Sequence, residues 1–162
     1  MGTAGRVRGA AEGEAYAIPL PSGGYATVVV ARVAPAGGIA LGYFFGPRAP
    51  NVPEVGSLDG LRADVATRVA KFGDMGIVEG KWPRIGRVPG WDRRKWPTPK
   101  FKRRSPIDGR VWRVEYHDDD PNSTPREVPI DEVSAAALPD DALHGDVAIE
   151  RVLDLEISKG AG

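Results

Sequence analysis

The stretch EAYAIPLPSGGYATVVVARVAPAGGIALGYFF, residues 14–45, decides the fold. From Glu14 to Leu20, Tyr16, Ile18 and Leu20 recur at the strand period of two and share one face. Pro21-Ser22-Gly23-Gly24 supplies a turn, with glycines free to take positive φ. Tyr25 to Val33 is β-branched and apolar on both faces, the pattern of a central strand. Pro35-Ala36-Gly37-Gly38 turns the chain again, and Ile39 to Phe45 puts Ile39, Leu41, Tyr43 and Phe45 on one face. Three such runs joined by short turns predict an antiparallel meander.

Downstream of the meander, Gly46 to Gly60 reads as loop because Pro47, Pro50 and Pro53 interrupt ladder pairing. Ser57 is placed to cap a short helical turn through Arg62. Val65 to Phe72 reads as a strand with Val65, Thr67 and Val69 inward, and Gly73-Asp74-Met75-Gly76 as a turn. Short strands are expected at Trp82 to Arg87 and Phe101 to Arg104. Asp108-Gly109 then signals a hairpin into a strand from Arg110 to His117. Arg126 to Ile130 fits an edge strand and Asp131 to Ala137 a helical turn. Asp146 to Ser158 is ambiguous. Val147, Ile149, Leu153, Leu155 and Ile157 fit period two, whereas Ala148, Ile149, Val152 and Leu155 fit one helical stripe. Its helix formers and Gly160 favour a C-terminal helix. The expectation is a mainly β chain with an antiparallel, partly closed sheet and one or two short helices. Residues 1–12 read as a flexible tail and residues 13–158 as one domain.

Bulk composition narrows the function classes. At 162 residues with 41% hydrophobic and 27% charged side chains, the chain is long enough and apolar enough to bury a core. The absence of cysteine excludes disulfides, thiol catalysis and cysteine metal sites. No apolar segment in the first dozen residues has signal-peptide character, and no run approaches bilayer length. A cytoplasmic chain without a membrane partner is therefore the expectation. Net charge is zero, but its distribution is uneven. Lys81 to Arg104 is almost wholly basic, and Glu115 to Glu156 is mostly acidic. Two solvated surfaces that neutralise each other, or a bipolar surface that orients a charged partner, both fit this pattern.

The candidate functional residues lie in GKWPRIGRVPGWDRRKWPTPKF, residues 80–101, which holds three of the four tryptophans. Trp82 sits in a strand-like run between Gly80 and Gly86 and is expected in the core. Trp91 and Trp96, flanked by Arg93, Arg94 and prolines, suit either an interface or a core. The irregular part, Arg87 to Phe101, is expected to be exposed, so replacing Trp91 or Trp96 should spare stability and weaken partner binding. Trp91, Trp96 and Phe101 with the cations up to Arg104 also fit a single-strand nucleic-acid platform. Asp118-Asp119-Asp120 forms an acidic loop without the spacing of a calcium site. His117 beside Asp118 is the one acid–base pair worth naming, and it reads better as a surface histidine at a strand end. No phosphate loop, nucleophile elbow or metal-ligand spacing is present, so neither catalytic residues nor a cofactor is expected.

A set of short motifs carries a family resemblance. Gly13-Glu14-Ala15-Tyr16-Ala17-Ile18-Pro19-Leu20, then Gly24-Tyr25, then Gly80-Lys81-Trp82-Pro83-Arg84-Ile85-Gly86, then Pro99-Lys100-Phe101 together resemble the immunity protein 26 family. Position 14 is Glu where that family usually shows Asp. The resemblance runs from Gly13 to Phe101 and rests on the order of the pieces rather than on any one of them. It implies a mainly β cytoplasmic protein of bacterial polymorphic toxin and contact-dependent inhibition systems. Such a protein binds and neutralises a cognate toxin encoded nearby. Tyr25, Gly80, Trp82, Pro83 and Gly86 are then the fold-fixing part of the motif. Trp91, Arg93, Arg94, Trp96, Asp118, Asp119 and Asp120 are the expected partner contacts.

Overall fold

The computed structural model describes residues 9–160. Residues 1–8, which make up most of the expected tail, lie outside the described residues. The meander forms as its periodicity requires. Strands β1 (Glu14–Pro19), β2 (Tyr25–Val33) and β3 (Ile39–Ala49) pair antiparallel in sequence order. The third runs past Phe45 into the segment expected as loop, and Ala49 pairs with Tyr25. Strand β4 (Arg68–Gly73) adds antiparallel to β3, and β5 (Arg84–Arg87) adds to the other edge on β1. A second, antiparallel sheet holds β6 (Phe101–Arg104), β7 (Val111–Glu115) and β8 (Arg126–Ile130). Its first hairpin closes at Asp108-Gly109, where Gly109 has φ 75°.

One pairing has no counterpart in the sequence reading. The two-residue strand β9 (Leu143–His144) runs parallel to β4, which makes the six-stranded sheet mixed, with order β5-β1-β2-β3-β4-β9. The segment just before it reaches the other sheet. The Lys102 amide donates to Pro139 O and the Asp141 amide donates to Lys102 O, both at 2.8 Å. Residues 139–144 thus bridge the two sheets, which do not close into a barrel among the described residues. Behind this joint Lys71, Tyr116 and Asp141 form a shielded polar group. Lys71 pairs with Asp141 at 3.1 Å and stands 3.9 Å from the centre of the Tyr116 ring.

The six-stranded sheet is buried on both faces, which is why β2 is apolar on both. One face carries Tyr16, Ile18, Val28, Phe44, Phe72 and Trp82. It is covered by the one-turn helix α1 (Met75–Val78) and by α3 (Asp146–Gly160). The opposite face carries Val29, Leu41, Tyr43 and Phe45 against Phe101 and Val114 of the second sheet. The remaining helix, α2 (Glu132–Ala135), packs on β7 and is capped by the Asp131 side chain, which accepts from the Ser134 amide.

Three local expectations are corrected. Val65 and Thr67 are exposed rather than inward, because residues Ala63–Val65 form a 3-10 turn ahead of β4. Gly73 to Gly76 is not a simple turn, since α1 begins at Met75. The C-terminal segment is helical, but its buried stripe is Ile149, Leu153 and Ile157. Ala148 and Leu155 of the expected stripe face solvent. An i, i+4, i+8 row is a legitimate helix face, and the sheet beneath selects which row is used.

Trp82 lies in the core as expected, at 1% exposure, and its ring centre is 5.6 Å from that of Phe72. Its indole N–H donates to Glu150 of α3 at 2.9 Å, which satisfies the one polar atom that burial would strand. Gly80, at φ 77°, lets the chain leave α1 and turn into the Trp82 segment. Gly86 packs closely, since a Cβ there would lie 2.6 Å from a Val55 methyl and Val55 would have to shift. The Pro83 carbonyl accepts the Ala17 amide at 2.8 Å and so holds the segment to β1. Tyr25 is half-buried at the start of β2, opposite Pro19 and Ala49.

Candidate functional site

Between Pro89 and Pro99 the prolines keep the chain out of regular structure, and a single 3-10 turn at Arg93–Lys95 forms within it. Asp92 caps that turn by accepting the Arg94 amide at 3.1 Å. The turn points Arg93 toward the body of the protein and leaves the Arg94 side chain 89% exposed. Trp91 and Trp96 flank the turn and stack at 5.8 Å.

Trp96 is not on the surface. It is 4% exposed, edge-on to Tyr43 at 5.3 Å and to Phe45 at 6.0 Å. This corrects the expected exposure of the whole segment. The apolar face of β3 beneath it binds the larger ring surface, so the tryptophan joins the core. Trp91 is half-buried above it. Phe101 is fully buried as well. A single-strand platform would therefore keep only Trp91 of its three rings.

Opposite the turn stands the loop after β7. Asp118 and Asp119 face it, and the two stretches that look like separate basic and acidic surfaces in the sequence meet here. Arg93 pairs with Glu12 at 3.3 Å, with Asp118 at 3.4 Å and with Asp119 at 3.1 Å. The hydrogen bond with Glu12 is the main cause that raises the Arg93 pKa above its ordinary value. Glu12 also accepts from the Trp91 indole at 3.4 Å. Elsewhere on the basic stretch Arg94 pairs with Asp92, Arg103 with Glu127 and Arg104 with Glu132. Each of these three cations is thus paired with a carboxylate. Asp120 is held by its own turn, its carboxylate accepting the Asn122 amide at 2.9 Å.

Beneath this cluster lies a residue that the sequence reading passed over. Arg32 sits inside the apolar run of β2, yet its guanidinium is a buried hub. It donates to the carbonyls of Ala31 at 2.6 Å, Trp96 at 3.0 Å and Asp118 at 3.0 Å. It also pairs with the Asp118 carboxylate at 3.0 Å. Partial burial alone would raise the Asp118 pKa, but the Arg32 and Arg93 charges help to hold it below the usual carboxylate range. The available signal was the lone arginine in an apolar strand, since a charged side chain placed there must find partners.

His117 is exposed, and its Nδ1 accepts the Asp119 amide at 3.1 Å, so its ring helps to shape the acidic turn. Among the described residues no group of three or more His, Cys, Asp or Glu side chains is arranged to hold a metal ion. No helix among them is long and apolar enough to cross a membrane. The arrangement sets an aromatic side chain, a guanidinium and a pair of carboxylates side by side above the buried Arg32.

Comparison with known proteins agrees with the motif resemblance. The family model described as immunity protein 26 matches residues 11–113, which takes in every quoted motif. No curated protein and no solved structure matches the chain.

Proposed function

The chain belongs to the immunity protein 26 family, and on that premise we propose that it binds a cognate toxin encoded beside its own gene and neutralises it by occlusion, without catalysis. It acts in the cytoplasm of the cell it protects. The contact surface is built from Trp91, Arg93 and Arg94 together with Asp118, Asp119 and Asp120 of the facing loop. Trp96 supports that surface from beneath. The observation that carries this reading is the convergence of the two loops on Arg93, with Arg32 locking both to β2. Arginine and tryptophan on a pre-organised base are the residues that anchor protein interfaces. An interface of ordinary size, about 1,600 Å² in total, would extend well beyond this cluster.

Co-expression with the neighbouring toxin gene tests the proposal. The chain should restore growth and co-purify with the toxin. Arg93→Glu should weaken that complex on the order of tenfold or more while the protein still melts cooperatively. Unchanged killing with no complex on co-purification would sink the reading.

A further inference from the structure

Beside the cluster, on the face of β3 and β4, lies a solvent-open groove of about 890 Å³. Its floor and walls are apolar, with Tyr43, Leu61, Val69, Trp96 and Leu138 as the main contributors. The groove exists because the second sheet covers only part of this face. The 3-10 turn at Ala63–Val65, the turn at Arg93–Lys95 and the segment before β9 close in from three sides without meeting.

The rim is mainly cationic. Arg62, Arg68, Arg94 and Lys95 line it, against Asp64 as the rim's one acid. The carboxylates that Arg62 and Arg94 now hold are local. Arg62 and Arg94 each bind an acid two residues away, Asp64 and Asp92, and the Arg62 and Arg94 side chains are 68% and 89% exposed. Such pairs contribute little and exchange readily for an incoming carboxylate. Arg68 is engaged with Glu156 of α3. Lys95 makes no ion pair among the described residues.

We propose that this groove receives an extended acidic segment of the toxin, with one apolar side chain seated over Trp96 and its carboxylates paired to Lys95, Arg62 and Arg94. The inference rests on the toxin-binding reading above and assigns the chemistry of the segment that is bound. An apolar floor supplies a desolvated anchor, and a cationic rim selects the sign of the flanking charge. The alternation of strand side chains suits this shape, because one face of an extended segment points down while its neighbours reach the rim.

The test uses the full chain and the co-expressed toxin, with two residues that lie on the groove rim but outside the Arg93 cluster. Arg62→Glu with Lys95→Glu should weaken the complex on the order of tenfold or more, and the loss should shrink as salt is raised. Arg62→Lys with Lys95→Arg should bind as the unmodified protein does. Arg151→Glu, on the exposed side of α3, is the control and should also leave binding unchanged. If Arg62→Glu/Lys95→Glu binds at full strength while the unmodified chain forms its complex, the groove assignment falls and the immunity function stands. If the unmodified chain forms no complex, both fall together. A chain that dimerises in solution, and loses the dimer with the same double substitution, gives the groove to a second copy instead.

Discussion

Arg32 and Asp118 meet with their charged atoms 3.0 Å apart, but the Arg32 side chain is 3% exposed and that of Asp118 is 55% exposed. The pair is therefore asymmetric. Arg32 is the member whose removal leaves buried carbonyls without donors. Arg32→Met should cost about 3–5 kcal/mol in urea denaturation. Asp118→Asn should cost less, because the backbone acceptors around Arg32 remain in place. Equal losses in the two variants would show that the exposed carboxylate, not the carbonyl set, satisfies the guanidinium.

The tryptophans divide by depth rather than by neighbourhood in the sequence. Trp82→Ala and Trp96→Ala should each lose about 3–5 kcal/mol of stability, as truncation of a buried ring does. Trp91→Ala should lose less and should weaken toxin binding. Thermal melts of the three variants beside their binding curves test this ordering. A Trp96 variant as stable as the parent would return that ring to the surface.

Helix α3 is tied down by carboxylates. The hydrogen bond from Lys81 is the main cause that lowers the Asp146 pKa, and the hydrogen bond from Ser22 is the main cause for Asp154. Arg48 also reaches Asp154, at 2.6 Å. A carboxylate with a lowered folded-state pKa contributes stability that is complete above its unfolded value and is lost as pH falls through its folded value. Acidification below about pH 4 should therefore loosen α3. Melting temperature recorded against pH should fall less steeply over that range for Asp146→Asn/Asp154→Asn than for the parent. Parallel curves would refute the tether.

Tyr43 gives the opposite sign. Burial pushes its hydroxyl up to about 12, against a minor lowering by Arg32, and the hydroxyl donates to the Pro97 carbonyl. A raised folded-state pKa contributes stability that is complete below the unfolded value, about 10, and is lost as pH rises toward the folded one. Stability of the parent should drop between about pH 10 and about pH 12. Tyr43→Phe should lose about 1 kcal/mol at neutral pH and show a smaller alkaline drop.

The family match ends at Arg113, inside β7. The core does not. Ile149 and Leu153 of α3 are fully buried against the first sheet, and Glu150 holds Trp82. Truncation before Asp146 should therefore abolish cooperative unfolding, as followed by the near-ultraviolet signal of the tryptophans. A truncated chain that melts cooperatively would make α3 dispensable.

Much of the fold was legible because it is local. Strand period, glycine and proline turns and the Asp-Gly hairpin are properties of neighbouring residues, and they marked β1 to β3, β6 to β8 and the burial of Trp82. Burial of Trp96 was not legible, since the segment around it is charged and proline-rich and nothing local shows that the face of β3 lies below. The Arg32 hub was half legible. Its place in an apolar strand marked it as needing partners, but those partners come from residues 64 and 86 positions away.

By itself the sequence determined the meander, the mainly β class and the family, because short-range periodicity and ordered motifs encode them. Tertiary structure alone decided that the basic and acidic halves meet at Arg93, that β9 joins β4 in parallel, and that the second sheet leaves a groove uncovered. Those outcomes depend on which distant faces compete to bury one another, and burial is a property of the assembled surface rather than of any one stretch of chain.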